Sequence, residues 1–141
     1  MKISDILRHK GSDVITIAPD ATVTDLVDAL AEHKIGALVV SDGTSVVGIV
    51  SERDVVRRLH DRGASVLDVP VSEIMTSKVL SCRSTDSVDS VATAMTERRI
   101  RHLPVLDDGA LNGIVTIGDV VFSRMRQLEQ DRGQLEQYIT G

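Results

Sequence analysis

With 141 residues, 42% hydrophobic and 26% charged, the chain is long enough for one ordinary domain or two small ones that need each other, because a lone unit of about 60 residues buries too little surface. Sixteen Lys and Arg against 21 Asp and Glu give a net charge of −5, and Phe122 and Tyr138 are the aromatic residues, so a general nucleic-acid surface is poorly supported. Apolar residues come in short runs rather than one membrane-length stretch, Met1-Lys2-Ile3-Ser4-Asp5 lacks the pattern of a secretory signal, and the lone Cys82 suits a reducing interior; no membrane association and a cytoplasmic location are expected.

In chain order, the first predicted strand covers residues 14–17. Thr22 then caps a helix whose apolar residues Val23, Leu26, Val27 and Leu30 fall at helical spacing. Two β-rich runs come next, 37–41 and 45–50, joined by a hairpin turn at Asp42-Gly43. A second helix starts after Ser51-Glu52-Arg53-Asp54. The same order returns with a strand at 79–82, a helix capped by Ser87 with Val88, Val91, Ala92 and Met95 on one face, β-rich runs at 102–106 and 110–115 around Asp107-Asp108-Gly109, and a helix after Asp119. Past Val121, residues Met125, Leu128, Leu135, Tyr138 and Ile139 lie roughly on one stripe despite Gly133, which suits a cover for the module or a second subunit, or else a docking helix.

The return is a duplication. Shifting the sequence by 65 positions aligns 14–56 with 79–121 without a gap and superposes Val14/Val79, Ala29/Ala94, Ile35/Ile100, Leu38/Leu103, Val40/Val105, Asp42/Asp107 and Gly48/Gly113. Upstream, Ile3-Ser4-Asp5-Ile6-Leu7 matches Val71-Ser72-Glu73-Ile74-Met75 at a spacing of 68. The expected division is a first repeat at 1–68, a second at 69–125 and a helical tail at 126–141. Each repeat is a β-α-β-β-α unit, an α/β (α+β) architecture in which neither copy covers both faces of its sheet alone.

The two copies end their central strands on one phrase, GIVSERD at 48–54 and GIVTIGD at 113–119. Ser51 with Asp54, and Thr116 with Asp119, fit a capping box, in which the hydroxyl caps the helix and the carboxylate reaches back to the first amide. The same geometry suits a nucleotide. A strand feeding a helix start presents amides and a positive dipole end to phosphate, and a carboxylate beside it accepts ribose hydroxyls. The spacing alone leaves both readings open.

Together with the runs Ile35-Gly36-Ala37-Leu38-Val39-Val40-Ser41-Asp42 and Ile100-Arg101-His102-Leu103-Pro104-Val105-Leu106-Asp107, these phrases give a sequence that resembles the tandem cystathionine-β-synthase (CBS) domain pair, or Bateman module, over residues 1–125, and more narrowly the stand-alone bacterial CBS-pair proteins. The resemblance implies pseudo-twofold packing of the repeats, with an adenine nucleotide clasped in each of two clefts. In one, Asp54 would take the ribose and Ser51 the phosphate, with the base against 81–86, from Ser81 to Asp86, and against Arg101-His102. In the other, Asp119 and Thr116 would do the same, with 16–21, from Thr16 to Ala21, and Gly36-Ala37 lining the base. Arg101-His102 answers Gly36-Ala37, and Arg53 answers Gly118, so the cations are unevenly shared and the two sites are expected to differ: di- or triphosphates or a dinucleotide in the Arg-rich one, AMP or nothing in the other. An Asp at the ribose disfavours a 2′-phosphate and so argues against NADP.

His9, His33 and His60 are expected at the surface, Cys82 in inert packing, and no Cys/His cluster has metal-ligand spacing. No catalytic motif is present and the repeats leave few residues for a catalytic domain, so an enzyme is not expected. The expected function is a regulatory module that binds AMP, ADP, ATP or NAD as an energy or redox-state sensor, with a homodimer implied by the resemblance and an unknown protein target. The alternative is an interaction protein whose pair mediates dimerisation and partner docking without ligand.

Overall fold

In a computed structural model that describes residues 1–140, the elements run in order as α1 (Ile3–Lys10), β1 (Thr16–Ile17), α2 (Val23–His33), β2 (Ala37–Ser41), β3 (Val46–Ser51), α3 (Glu52–Arg62), α4 (Val88–Arg98), β4 (His102–Asp107), β5 (Ala110–Thr116) and α5 (Ile117–Thr140). Short 3-10 turns at Gly63–Asp68 and Val71–Glu73 lie between α3 and α4. The mixed helix and sheet composition is the expected α/β (α+β) class, with each repeat supplying helix, hairpin and helix in order. α5 runs without interruption across position 125 into the tail; Gly141, the end of the expected tail, lies outside the described residues.

The chain divides into two compact units. The first consists of Asp13–Ser81 with Asp107–Leu111; the second of Met1–Ser12, Cys82–Leu106 and the chain from Asn112 onward. In the first unit β1 lies parallel to β2, Thr16 opposite Val39, and β2 runs antiparallel to β3, Ala37 opposite Ser51, with a register shift after Val40. Val23, Leu26 and Leu30 of α2, Leu38, Val40 and Val50 of the sheet, and Val66, Val71 and Ile74 close one apolar core. In the second unit Val88, Val91 and Met95 of α4 pack with Leu103, Val105 and Val115 of the β4–β5 hairpin, Cys82, Val120, and Ile3 and Ile6 of α1.

The segment that precedes each repeat in sequence therefore completes a different unit from the one that comes after it. In the first unit the amides of Val71 and Ser72 donate to the carbonyls of Ala21 (2.7 Å) and Pro19 (3.0 Å), and the Val23 amide to Val69 (3.0 Å). In the second, the amides of Ile3 and Ser4 donate to Asp86 and Ser84 (both 2.9 Å), and the Val88 amide to Met1 (3.0 Å). These are the same three bonds, displaced by the two repeat spacings.

The second repeat's first strand is shorter than expected. Residues 79–82 make one bridge, Cys82 beside Val105, with the Cys82 amide donating to Pro104 (3.0 Å) and the Leu106 amide to Cys82 (2.8 Å). The next upstream bond of a parallel ladder needs an amide at position 104, and proline has none; the first repeat carries Val39 there and keeps β1. Both α2 and α4 end on a left-handed residue, Lys34 (φ 55°) and Arg99 (φ 54°), which turns the chain so that Ile35 and Ile100 return their amides to Leu30 (3.2 Å) and Met95 (3.0 Å).

Candidate functional site

Each repeated phrase forms a reciprocal cap. At the start of α3 the Ser51 Oγ accepts from the Asp54 amide (3.3 Å), while Asp54 Oδ2 accepts from the Ser51 amide (2.8 Å) and the Ser51 hydroxyl (3.1 Å). At the start of α5 the Thr116 Oγ1 accepts from the Asp119 amide (3.1 Å), and Asp119 Oδ2 accepts from the Thr116 amide (2.9 Å). Both carboxylates are bonded through Oδ2 in a half-buried cap. The same box also occurs at Thr22 and Asp25, at the start of α2, where no repeated phrase stands.

Within the first unit, Gly36 and Ala37 sit beside the α3 cap, since the Gly36 carbonyl accepts from the Glu52 amide (2.9 Å) and Ala37 lies opposite Ser51. Arg53 is exposed on the first turn of α3, and Ser81 is exposed at the end of the unit. Thr16, also exposed, lines a hollow of about 520 Å³ with Ala18, Pro19, Asp20 and the hairpin turn at Ser41-Asp42-Gly43. Ala21 is half-buried, its carbonyl engaged by Val71.

In the second unit the Arg101 carbonyl accepts from the Ile117 amide (2.9 Å), which brings Arg101 and His102 beside the α5 cap just as Gly36 and Ala37 lie beside the other. Arg101 is exposed and His102 half-buried. Asp86 plays a structural part. Its Oδ2 accepts from the Arg83 amide (2.9 Å) and its carbonyl from Ile3, so it shapes the loop before α4.

Lys10, which the sequence did not single out, touches the α5 cap. Its Nζ donates to Asp119 Oδ2 (2.7 Å) and to the Ile114 carbonyl (2.9 Å), at the edge of a cavity of about 260 Å³ between α1 and α5 that His9, Phe122 and Arg126 also line. Continuing the 68-position alignment past Leu7 pairs Lys10 with Lys78 and was the available signal. Among the described residues no group of three His, Cys, Asp or Glu side chains is placed to hold a metal ion, and no helix is long and apolar enough to cross a membrane.

A duplicated unit of this topology, with a hydroxyl-Asp cap after each central hairpin, defines a tandem-repeat module. The CBS domain pattern matches residues 3–61 and 71–126, and the chain belongs to the CBS domain family. A mitochondrial CBS domain-containing protein of Arabidopsis thaliana is 34% identical, over 99% of this chain and 72% of its own length. The crystal structure of a CBS-domain containing protein from Agrobacterium tumefaciens is 42% identical and superposes with a TM-score of 0.86, covering 88% of this chain and 99% of that one. The CBS domain pair of a further protein, solved in complex with 5′-methylthioadenosine and S-adenosyl-L-methionine, is 27% identical, with a TM-score of 0.77 over 92% of this chain and 98% of its own.

Proposed function

We propose that this chain is a non-catalytic regulatory module that binds an adenine nucleotide, AMP, ADP, ATP or NAD, and transmits occupancy through repacking of its repeats or subunits to a protein target. Asp54 and Asp119 each take a ribose, Ser51 and Thr116 the adjoining phosphate, and Arg53, Arg101, His102, Thr16, Ala21, Gly36, Ala37, Ser81 and Asp86 complete the two sites as the family resemblance implies. A homodimer is part of this reading. The observation that carries it is the doubled cap, a hydroxyl and an Asp at the same place after each central hairpin, in a family whose members include a pair crystallised with adenosine-bearing ligands. Such a switch works only through different affinities for two packings.

A second reading, a structural or interaction module without ligand, is favoured by the Thr22–Asp25 box, which shows the motif serving as a cap alone. Calorimetric titration of nucleotide-stripped protein with AMP, ATP and NAD, repeated on Asp54→Ala and Asp119→Ala, separates the two. Loss of one binding phase in each variant supports two sites. Absence of heat in the wild type, or curves unchanged in both variants, leaves the phrases as caps in a scaffold.

A further inference from the structure

Lysine occupies the same repeat position twice, as Lys10 and Lys78, and the two do different things. Leu7-Arg8-His9-Lys10 stays helical to the end of α1, which carries Lys10 Nζ to the Ile114 carbonyl and to Asp119. Met75-Thr76-Ser77-Lys78 leaves its 3-10 turn through bends, with a single bridge at Thr76. The β-branched Thr76 pairs through its backbone with Ile49, the counterpart of Ile114, and its amide donates to the Ile49 carbonyl at 2.9 Å. One carbonyl is thus satisfied by a backbone amide and its repeat-mate by a lysine ammonium. Lys78 is exposed and enters no ion pair among the described residues, so Asp54 has no lysine partner.

We propose that Lys10 sets the charge of the ligand accepted at Asp119, selecting an anionic, phosphate-bearing adenosine compound over a neutral or sulfonium one; the inference rests on the nucleotide reading of that site. A bare Asp beside a ribose repels the phosphate attached to it. At 2.7 Å, with the lysine side chain 30% and the aspartate 21% exposed, the ammonium offsets that repulsion where water screens it only in part. The ammonium has three donors, two of which meet Asp119 and Ile114, and the third is available to a phosphate oxygen. A second cation, Arg126, lines the same cavity, as does Asp5, which is paired with Arg8. Arg126 lies over the Phe122 ring, 5.9 Å from its centroid, with Nη1 3.3 Å from His9 Nδ1, and meets no carboxylate among the described residues. A sulfonium ligand at Asp119 would meet the Lys10 ammonium as a like charge, whereas Asp54 presents its cap with no ammonium attached.

The test uses the full chain in an Asp54→Ala background, titrated calorimetrically with AMP and with neutral 5′-methylthioadenosine. Lys10→Met is expected to weaken AMP about tenfold, the scale of one charge-assisted hydrogen bond, and to leave methylthioadenosine unchanged or tighter, while Lys10→Arg restores AMP. In an Asp119→Ala background, Lys10→Met is expected to leave AMP binding unchanged, which also verifies that the variant folds. Equal weakening of both ligands, or no change in either, overturns the role of Lys10 while leaving the nucleotide reading standing. A chain with Asp119 and Lys10 intact that binds neither compound overturns both.

Discussion

Gly113 faces Leu7 so closely that a Cβ there would lie 2.6 Å from Cδ2, and its repeat-mate Gly48 faces Met75 with Sδ at 2.5 Å. The glycine of each repeated phrase is therefore the seat of the segment that completes its unit. The two seats differ in what can yield: Leu7 offers the tip of a side chain, while Gly48 also has the Thr76 carbonyl oxygen at 3.1 Å, held in a backbone bridge. Gly48→Ala is expected to cost about 1–3 kcal/mol and Gly113→Ala less, because overpacking against backbone relaxes poorly. Chemical denaturation with an unchanged m-value reads the difference; equal costs would show that the bridge at Thr76 yields as easily as a side chain.

The three capping boxes separate stability from ligand binding. Thr22→Ala, Ser51→Ala and Thr116→Ala each remove a side-chain acceptor from a helix start and should each lower stability by about 1 kcal/mol. Stabilisation by added AMP or ATP should persist in Thr22→Ala and shrink in the other two. A Thr22 variant that loses the nucleotide response as fully as the others would count the phrases as caps only.

Most of the fold was legible because its determinants are local. The hydroxyl caps, the helical spacing of Val23, Leu26 and Leu30, and the turn residues of both hairpins each act within a few positions. The shortened first strand of the second repeat was legible in principle too, through Pro104. What the repeat pattern did not reveal is which preceding segment joins which unit: Ile3 on Asp86 and Val71 on Ala21 are long-range bonds that a spacing of 68 positions does not specify. Lys10 and Lys78 show the limit at the site. Identical residues at matched positions diverge because one segment stays helical and the other pairs with a strand, and sequence alignment carries only the identity.

The hairpin turn of the first repeat responds to acid. Asp42 Oδ1 accepts from the amides of Thr44 and Ser45 (both 2.9 Å) and from the Thr44 hydroxyl (2.9 Å), and these bonds, the Ser45 amide first, lower its carboxyl from 3.8 to about 2. The folded value lies below the unfolded one, so the contribution to stability is present above pH 3.8 and is lost as pH falls through about 2. Asp42→Asn should flatten this part of the profile when melting temperatures are compared between pH 5 and pH 2. A wild-type and variant difference that does not change over that range would place the acid sensitivity elsewhere.

The end of α5 carries apolar side chains that the described chain leaves uncovered: Leu135, Tyr138 and Ile139 are 62%, 87% and 81% exposed, and the pair between Arg132 and Glu136 (3.1 Å) is a surface contact within one helix. Little of either unit's core depends on them, since the helix buries its Val120 and Ser123 well upstream. Ending the chain after Asp131 should therefore change the stability of an isolated chain by no more than about 0.5 kcal/mol, the range of surface substitutions and exposed helical ion pairs. Within the proposed homodimer the same stripe is the surface a second copy would cover, and its loss should halve the mass measured by light scattering and abolish any dependence of the melting temperature on protein concentration. A truncated chain that keeps the mass of the full one would move the dimer contact off residues 132–140 and onto the exposed apolar residues that remain, Leu128 of α5, Val56 of α3 and Met125 of α5 being the next candidates at 67%, 64% and 56% exposure.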